Sequence, residues 1–250
     1  MAIKLLINGV AGAGKTSTLS TLGEETFVIS RDAKSFNLPL PHMLVDRYVN
    51  MSTFLYGDEK AEIEGVVDKI GKYHERFGKY PENVVFDSVS QLTMDAIEAA
   101  SNTPDNYGSQ SMEITRELGL LTKFIHEELE MSGMNVILMN HVIPEKVDGE
   151  SSGKFLPFGQ GKFLAKGAFF ATTNEAITLV VDKGQHKVIH RGERKQARTM
   201  LLELPDVSYL EQLDSSKKSK ALKEGESYFS LRKHLDLLIS KQADSAKWSF

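Results

Sequence analysis

Eight residues near the start of the chain, Gly9-Val10-Ala11-Gly12-Ala13-Gly14-Lys15-Thr16, fit the pattern G-x-x-x-x-G-K-[ST] at every fixed position. The residue types suit the chemistry of holding a polyphosphate. Glycines let peptide N–H groups close on phosphate oxygens, and a helix beginning at the end of the loop adds a favourable dipole. Lys15 brings its charge to β- and γ-phosphates, the Thr16 hydroxyl completes a Mg²⁺ shell, and Ser17 continues the cradle into the helix. Ordinary composition yields such a match by chance on the order of once in a hundred chains of this length. The context lowers that further, because the loop must leave a strand and enter a helix. Ile3-Lys4-Leu5-Leu6-Ile7-Asn8 reads as that strand and Lys15 to Leu22 as that helix.

Three more residues stand where such a site needs them. Asp87 closes the apolar strand Asn83-Val84-Val85-Phe86. An acid there holds Mg²⁺ through water in nucleoside triphosphatases, and its ordinary alternative is capping the next helix. Asp32 follows the strand Thr26–Ser30, at the sheet edge where open α/β folds keep their ligands. It is placed to orient an attacking water or to serve as a loop aspartate. His141 follows the strand Asn135–Met139 and is read as a γ-phosphate sensor, against the structural role of most lone histidines. No pair among the seven histidines has zinc-ligand spacing with a carboxylate.

The elements that position these residues alternate. Apolar strands at 3–8, 26–30, 43–45, 83–88 and 135–139 are separated by helical patterns at about 58–77, 91–100 and 112–131. That order predicts an α/β fold, a mostly parallel sheet covered on both faces. A hairpin at 176–181 and 187–189 around Gly184 adds an antiparallel edge extension. Ser101–Ser111 reads as a polar loop. Pro144–Lys166, rich in glycine and lysine and lacking periodicity, reads as a functional or mobile loop. The basic run Arg191, Arg194, Lys195 and Arg198 suits a solvated face, arginine fingers toward a neighbouring subunit, or contacts to DNA phosphates. Residues 1–210 are taken as the core, and 211–250 as a lysine-rich segment, a helix near 228–240 and a tail ending Trp248-Ser249-Phe250.

Composition bounds the rest. The 250 residues are 41% apolar and 26% charged, with net charge −4 and no cysteine. Disulfides, thiol catalysis and cysteine-ligated zinc are excluded, and there is no global attraction to polyanions. The expectation is a cytoplasmic protein without a membrane association.

These motifs in this order resemble the RecA-like ATPase core over about residues 3–204. Gly9–Thr16 is similar to that family's phosphate loop, Phe27–Asp32 to its catalytic-acid strand, Val84–Ser88 to its aspartate-serine strand, and Val136–His141 to its sensor strand. Asp32 replaces the usual Glu and His141 the frequent Gln. With the compact length, these departures look more like the short phage-encoded RecA-core proteins, which act in a bacterial host's cytoplasm. The resemblance implies a RecA-like P-loop fold, ATP and Mg²⁺ as cofactors, and Lys15, Asp32, Asp87, His141 and Arg198 in catalysis, Arg198 acting across a subunit interface. It implies a homo-oligomer with ATP between subunits, working with single-stranded DNA in annealing or recombination, alongside a single-strand DNA-binding protein. Ser101–Ser111 and Pro144–Lys166 then resemble the DNA-binding loops, with Lys154, Lys162 and Lys166 on phosphates and Phe155, Phe158 or Phe163 available for stacking. Two rivals stand beside this reading. One is a P-loop small-molecule kinase, disfavoured because Pro144–Lys166 carries no arginine. The other is a nucleotide-gated module that recruits a partner without catalysis.

Overall fold

The apolar stretches pair into one sheet in the computed structural model, which describes residues 2–31, 38–45, 48–102, 104, 108–147, 150–157, 172–182, 185–189 and 230–246. The strands are β1 (Lys4–Gly9), β2 (Thr26–Ser30), β3 (His42–Leu44), β4 (Asn83–Asp87), β5 (Asn135–Val147), β6 (Glu150–Pro157), β7 (Glu175–Asp182) and β8 (Gln185–Ile189). Their order is β3-β2-β4-β5-β1-β7-β8, with β6 pairing β5 off that path. Every pairing from β3 to β7 is parallel, and β8 closes the edge antiparallel to β7. The expected mixed α/β architecture and its antiparallel edge are therefore both present.

Strand alternation sorts the side chains into two cores. Leu6, Val84, Phe86, Val136 and Leu138 face α2 (Met51–Tyr56), α3 (Val66–Phe77), α4 (Val89–Ser101) and α5 (Ser109–Phe124). Their neighbours Leu5, Ile7, Val85, Ile137 and Met139 face the opposite way. There they meet Leu19 and Leu22, which lie just after α1 (Lys15–Thr18), and Leu231, Leu235 and Leu238 of α6 (Leu231–Ala246). Burial on both faces is why these strands are continuous apolar runs. An ion pair adds to the leucines of α6, Arg232 with Glu25, and the buried His234 lies 3.4 Å from the buried Glu175 at the start of β7.

Several boundaries differ from expectation. The first helix is α-helical only over Lys15–Thr18 and tightens to a 3₁₀ turn at Leu19–Thr21. The helix expected from residue 58 starts at Val66. Its first residues instead form a 3₁₀ turn, because the Asp58 carboxylate accepts the N–H groups of Lys60 (3.0 Å) and Ala61 (3.3 Å). The backbones of Asp58 and Ile63 then bond each other, and Glu62 turns left-handed at φ 55°. The short helix α2 was not expected. Asn50 caps it by accepting the Thr53 N–H at 2.9 Å, and Met51, Phe54 and Leu55 are buried. Glu117, buried on α5, braces it by accepting the Tyr48 O–H at 2.8 Å and the Met51 N–H. Burial, assisted by Glu117, drives the Tyr48 phenol well above its ordinary range.

The polar loop expected at Ser101–Ser111 is shorter, since α4 runs through Ser101 and α5 starts at Ser109. After α5 the chain continues as a π-helical turn over Ile125–Glu130 rather than as one α-helix to Met131. The largest correction concerns Pro144–Lys166. Its first part is a β-ribbon: β5 continues through Val147, and β6 returns antiparallel from Glu150 to Pro157. The register shifts between Pro144 and Lys146, which absorbs Gly153 and hides a strand period from the sequence.

Candidate functional site

Gly9 ends β1 at the centre of the sheet, and an added Cβ there would lie 3.0 Å from the Leu179 carbonyl oxygen of β7. Only a glycine lets the loop leave the strand so close to its neighbour. The loop then turns through Gly14, whose φ of 90° precedes α1. Val10 accepts the Ala13 N–H at 3.2 Å, closing the turn around Ala11 and Gly12.

The Lys15 side chain is buried and folds back on this loop. Its ammonium donates to the Gly9 carbonyl at 2.8 Å and to the Val10 carbonyl at 3.3 Å, which offsets the cost of removing its charge from water. It also lies 3.3 Å from Nδ1 of His141. An ammonium can only donate, so Nδ1 accepts in this contact and the ring proton sits on Nε2.

Sheet order explains the meeting. β5 lies between β1 and β4, in register with both: Gly9 pairs with His141, and Asp87 with Met139. The ends of β1, β4 and β5 therefore share one edge. On that edge the Thr16 hydroxyl donates to Asp87 Oδ2 at 3.1 Å, across 71 residues of sequence. Asp87 is 5% exposed, and a cis peptide joins it to Ser88. The alternative role for an acid at this place, capping α4, falls to Ser88, whose side chain accepts the Gln91 N–H at 3.2 Å.

Lys15, Thr16, Asp87 and His141 are thus brought together. Asp32 lies outside the described residues, as do Arg191, Arg194, Lys195, Arg198, Lys162 and Lys166. Arg31, immediately before Asp32, donates its N–H to the Asp87 carbonyl oxygen at 2.9 Å, keeping the end of β2 beside β4. Lys154 lies on β6, on the arm that β5 extends past His141.

The site contains residues that motif reading passed over. Arg31 grips Asp95 of α4 from Nε at 2.7 Å and from a terminal nitrogen at 3.1 Å, and it also reaches the Val45 carbonyl. Below the loop, Ser90 donates to Asn140 Oδ1 at 2.7 Å, and Asn140 Nδ2 donates to Asn8 Oδ1 at 3.1 Å. Asn8 and Asn140 carried a weak signal, each being a polar residue at the end of an apolar strand. Ser90 carried none, since a serine in a first helical turn is ordinary.

A hydroxyl and a carboxylate side by side suit Mg²⁺, which takes few protein ligands and keeps waters and phosphate oxygens for the rest. Among the described residues no group of three or more His, Cys, Asp or Glu could hold a metal unaided. Nor, among them, is any helix long and apolar enough to cross a membrane. No protein-family model and no curated protein matches the chain.

Proposed function

We propose that the chain binds ATP with Mg²⁺ and hydrolyses it as a RecA-like ATPase acting on single-stranded DNA. The observation that carries the reading is the convergence of Thr16, Asp87, Lys15 and His141 at the end of a glycine-rich loop, from three segments far apart in sequence. Lys15 exchanges the Gly9 and Val10 carbonyls for β- and γ-phosphate oxygens. Thr16 and Asp87 would hold Mg²⁺, which would supply positive charge against the phosphates. Asp32 orients a water that attacks the γ-phosphorus. The bond from that phosphorus to the bridging oxygen breaks, releasing ADP and inorganic phosphate. His141 meets the γ-phosphate, and Arg198 of a neighbouring subunit supplies a further positive charge.

The continuity of β5 supports coupling of nucleotide state to DNA. The strand that places His141 against Lys15 continues, through a register shift between Pro144 and Lys146, into the ribbon bearing Lys154. With Lys162 and Lys166, that segment offers the phosphate contacts that a chain of net charge −4 lacks overall. The ribbon form favours this reading over a kinase lid, because a paired arm extending from the sensor strand moves with the strand.

The test is ATP hydrolysis with and without single-stranded DNA, using Lys15→Ala as the blank. DNA-stimulated turnover that the variant lacks is the expected result. A rate indifferent to DNA removes the DNA assignment and favours a small phosphate acceptor. Binding without turnover favours the gated module.

A further inference from the structure

We propose that Ser90 is a positioning residue that holds His141 at the height where it meets the γ-phosphate, and so sets the preference for ATP over ADP. This rests on the nucleotide-binding reading above.

The need arises from the unequal lengths of two strands. β4 pairs with β5 only as far as Asp87 opposite Met139, and then turns into α4. Beyond that point β5 has lost its neighbour on the β4 side, while β1 still accompanies it to His141. The second residue of α4 takes the missing strand's place. Ser90 Oγ accepts the His141 N–H at 2.6 Å, a backbone bond that strand pairing no longer supplies.

The hydroxyl has one proton, and that proton is committed to Asn140 Oδ1 at 2.7 Å. Asn140 Nδ2 in turn donates to Asn8 Oδ1 on β1, at 3.1 Å. Ser90, Asn140 and Asn8 are all buried. The direction of every bond in this chain is therefore set, and it links α4, β5 and β1 beneath the loop. Its outer end is the main chain of the residue whose imidazole touches Lys15. Without the hydroxyl, both the His141 N–H and Asn140 Oδ1 lose a partner, and α4 no longer holds β5 at His141.

The imidazole, beside Lys15, is the group assigned above to the γ-phosphate, which ATP has and ADP lacks, so its displacement weakens ATP more than ADP. The experiment measures Kd for Mg²⁺ with a non-hydrolysable ATP analogue and for Mg²⁺-ADP, in the full chain and in Ser90→Ala, Ser90→Thr, His141→Ala and the Ser90→Ala/His141→Ala pair. Ser90→Ala is expected to lower the ATP-to-ADP affinity ratio about tenfold, the worth of one well-placed hydrogen bond. Ser90→Thr, which keeps the hydroxyl, restores it, and the double variant loses no more than His141→Ala alone. A purely structural serine would lower the melting temperature and leave the ratio where it was. An unchanged ratio in Ser90→Ala, or fully additive losses in the pair, overturns the proposal while leaving the nucleotide site standing. If Ser90→Ala does not fold, Ser90→Cys replaces it with the same two outcomes, because a thiol is a weak acceptor. Should the unaltered chain bind neither nucleotide, or Lys15→Ala bind both as well as it does, the nucleotide reading itself fails and this role with it.

Discussion

Replacing Asp95 with alanine removes the carboxylate that Arg31 grips from two directions. The pair is bidentate, at 2.7 and 3.1 Å, and Gln91 adds a third contact to Asp95 at 3.3 Å. Asp95 is almost fully buried, with a side-chain exposure of 5% against 21% for Arg31. Breaking a buried pair from one side costs about 3–5 kcal/mol, since the remaining charge is stranded. Arg31 keeps the Val45 carbonyl and some access to water, which reduces the expected loss to about 2–3 kcal/mol. In urea, with a slope near the upper end of about 1–3 kcal/mol/M, the unfolding midpoint falls by about 1 M. Circular dichroism during a urea titration measures it. A cycle of Asp95→Leu, Arg31→Met and the Arg31→Met/Asp95→Leu pair separates the interaction from the burial of each residue. The pair is expected to recover most of the loss, because well-packed apolar side chains of similar volume replace a buried ion pair at little cost. A midpoint unmoved by Asp95→Ala, or single losses that simply add in the pair, would refute the argument that this contact holds the end of β2.

The docking of α6 is tested by Leu235→Ala. Leu235 is 1% exposed among Ile3, Leu5 and Leu19, so its truncation should cost about 2–5 kcal/mol in thermal or urea unfolding. Ile239→Ala on the same helix, at a residue 45% exposed, serves as the comparison and should stay within about 0.5 kcal/mol. Glu130 predicts a pH dependence. Burial acts against its ionisation, but hydrogen bonds from Lys4 (2.6 Å) and His126 outweigh that and hold its pKa below the ordinary 4.5. The folded chain thus binds this proton more weakly than the unfolded chain does. Its stabilisation is complete above about pH 4.5 and disappears as the pH falls through the lower folded value. Denaturation curves from pH 7 to pH 3 should show Glu130→Gln less stable than the unaltered chain at neutral pH, with the gap closing below pH 4.5. A gap that persists into acid would show that the carboxylate's charge is not what matters.

Where one physical rule governed a stretch, the sequence was a good guide. Double burial made β1, β4 and the first half of β5 continuous apolar runs, and the alternation of such strands with helical patterns predicted two covered faces. The phosphate-loop pattern was legible because its glycines, lysine and threonine are contiguous. Reading failed where side chains competed with the backbone. Asp58 took the N–H groups that a helix needed, so Ile63, although in phase with Ile70, sits in a turn. In β6 a register shift broke the two-residue period, so a strand resembled a glycine-rich loop. Contacts such as Ser90–His141 and Arg31–Asp95 span 51 and 64 residues, and no local pattern announces them. Both follow from the sheet order, with β4 placed between β5 and β2.

The placement of α6 has a consequence for how the chain is made. Its leucines share a core with Ile3, Leu5 and Ile7 of β1, which leave the ribosome long before them. The 41 residues numbered 190–230 are synthesised between β8, the last described strand, and α6. At about 5–20 residues per second, the interval lasts about 2–8 s. Throughout it the assembled sheet lacks the three leucines that α6 adds to that core. A nascent chain stalled in this window would offer the phosphate loop and the eight described strands, and also the surface on which chaperones and aggregation compete.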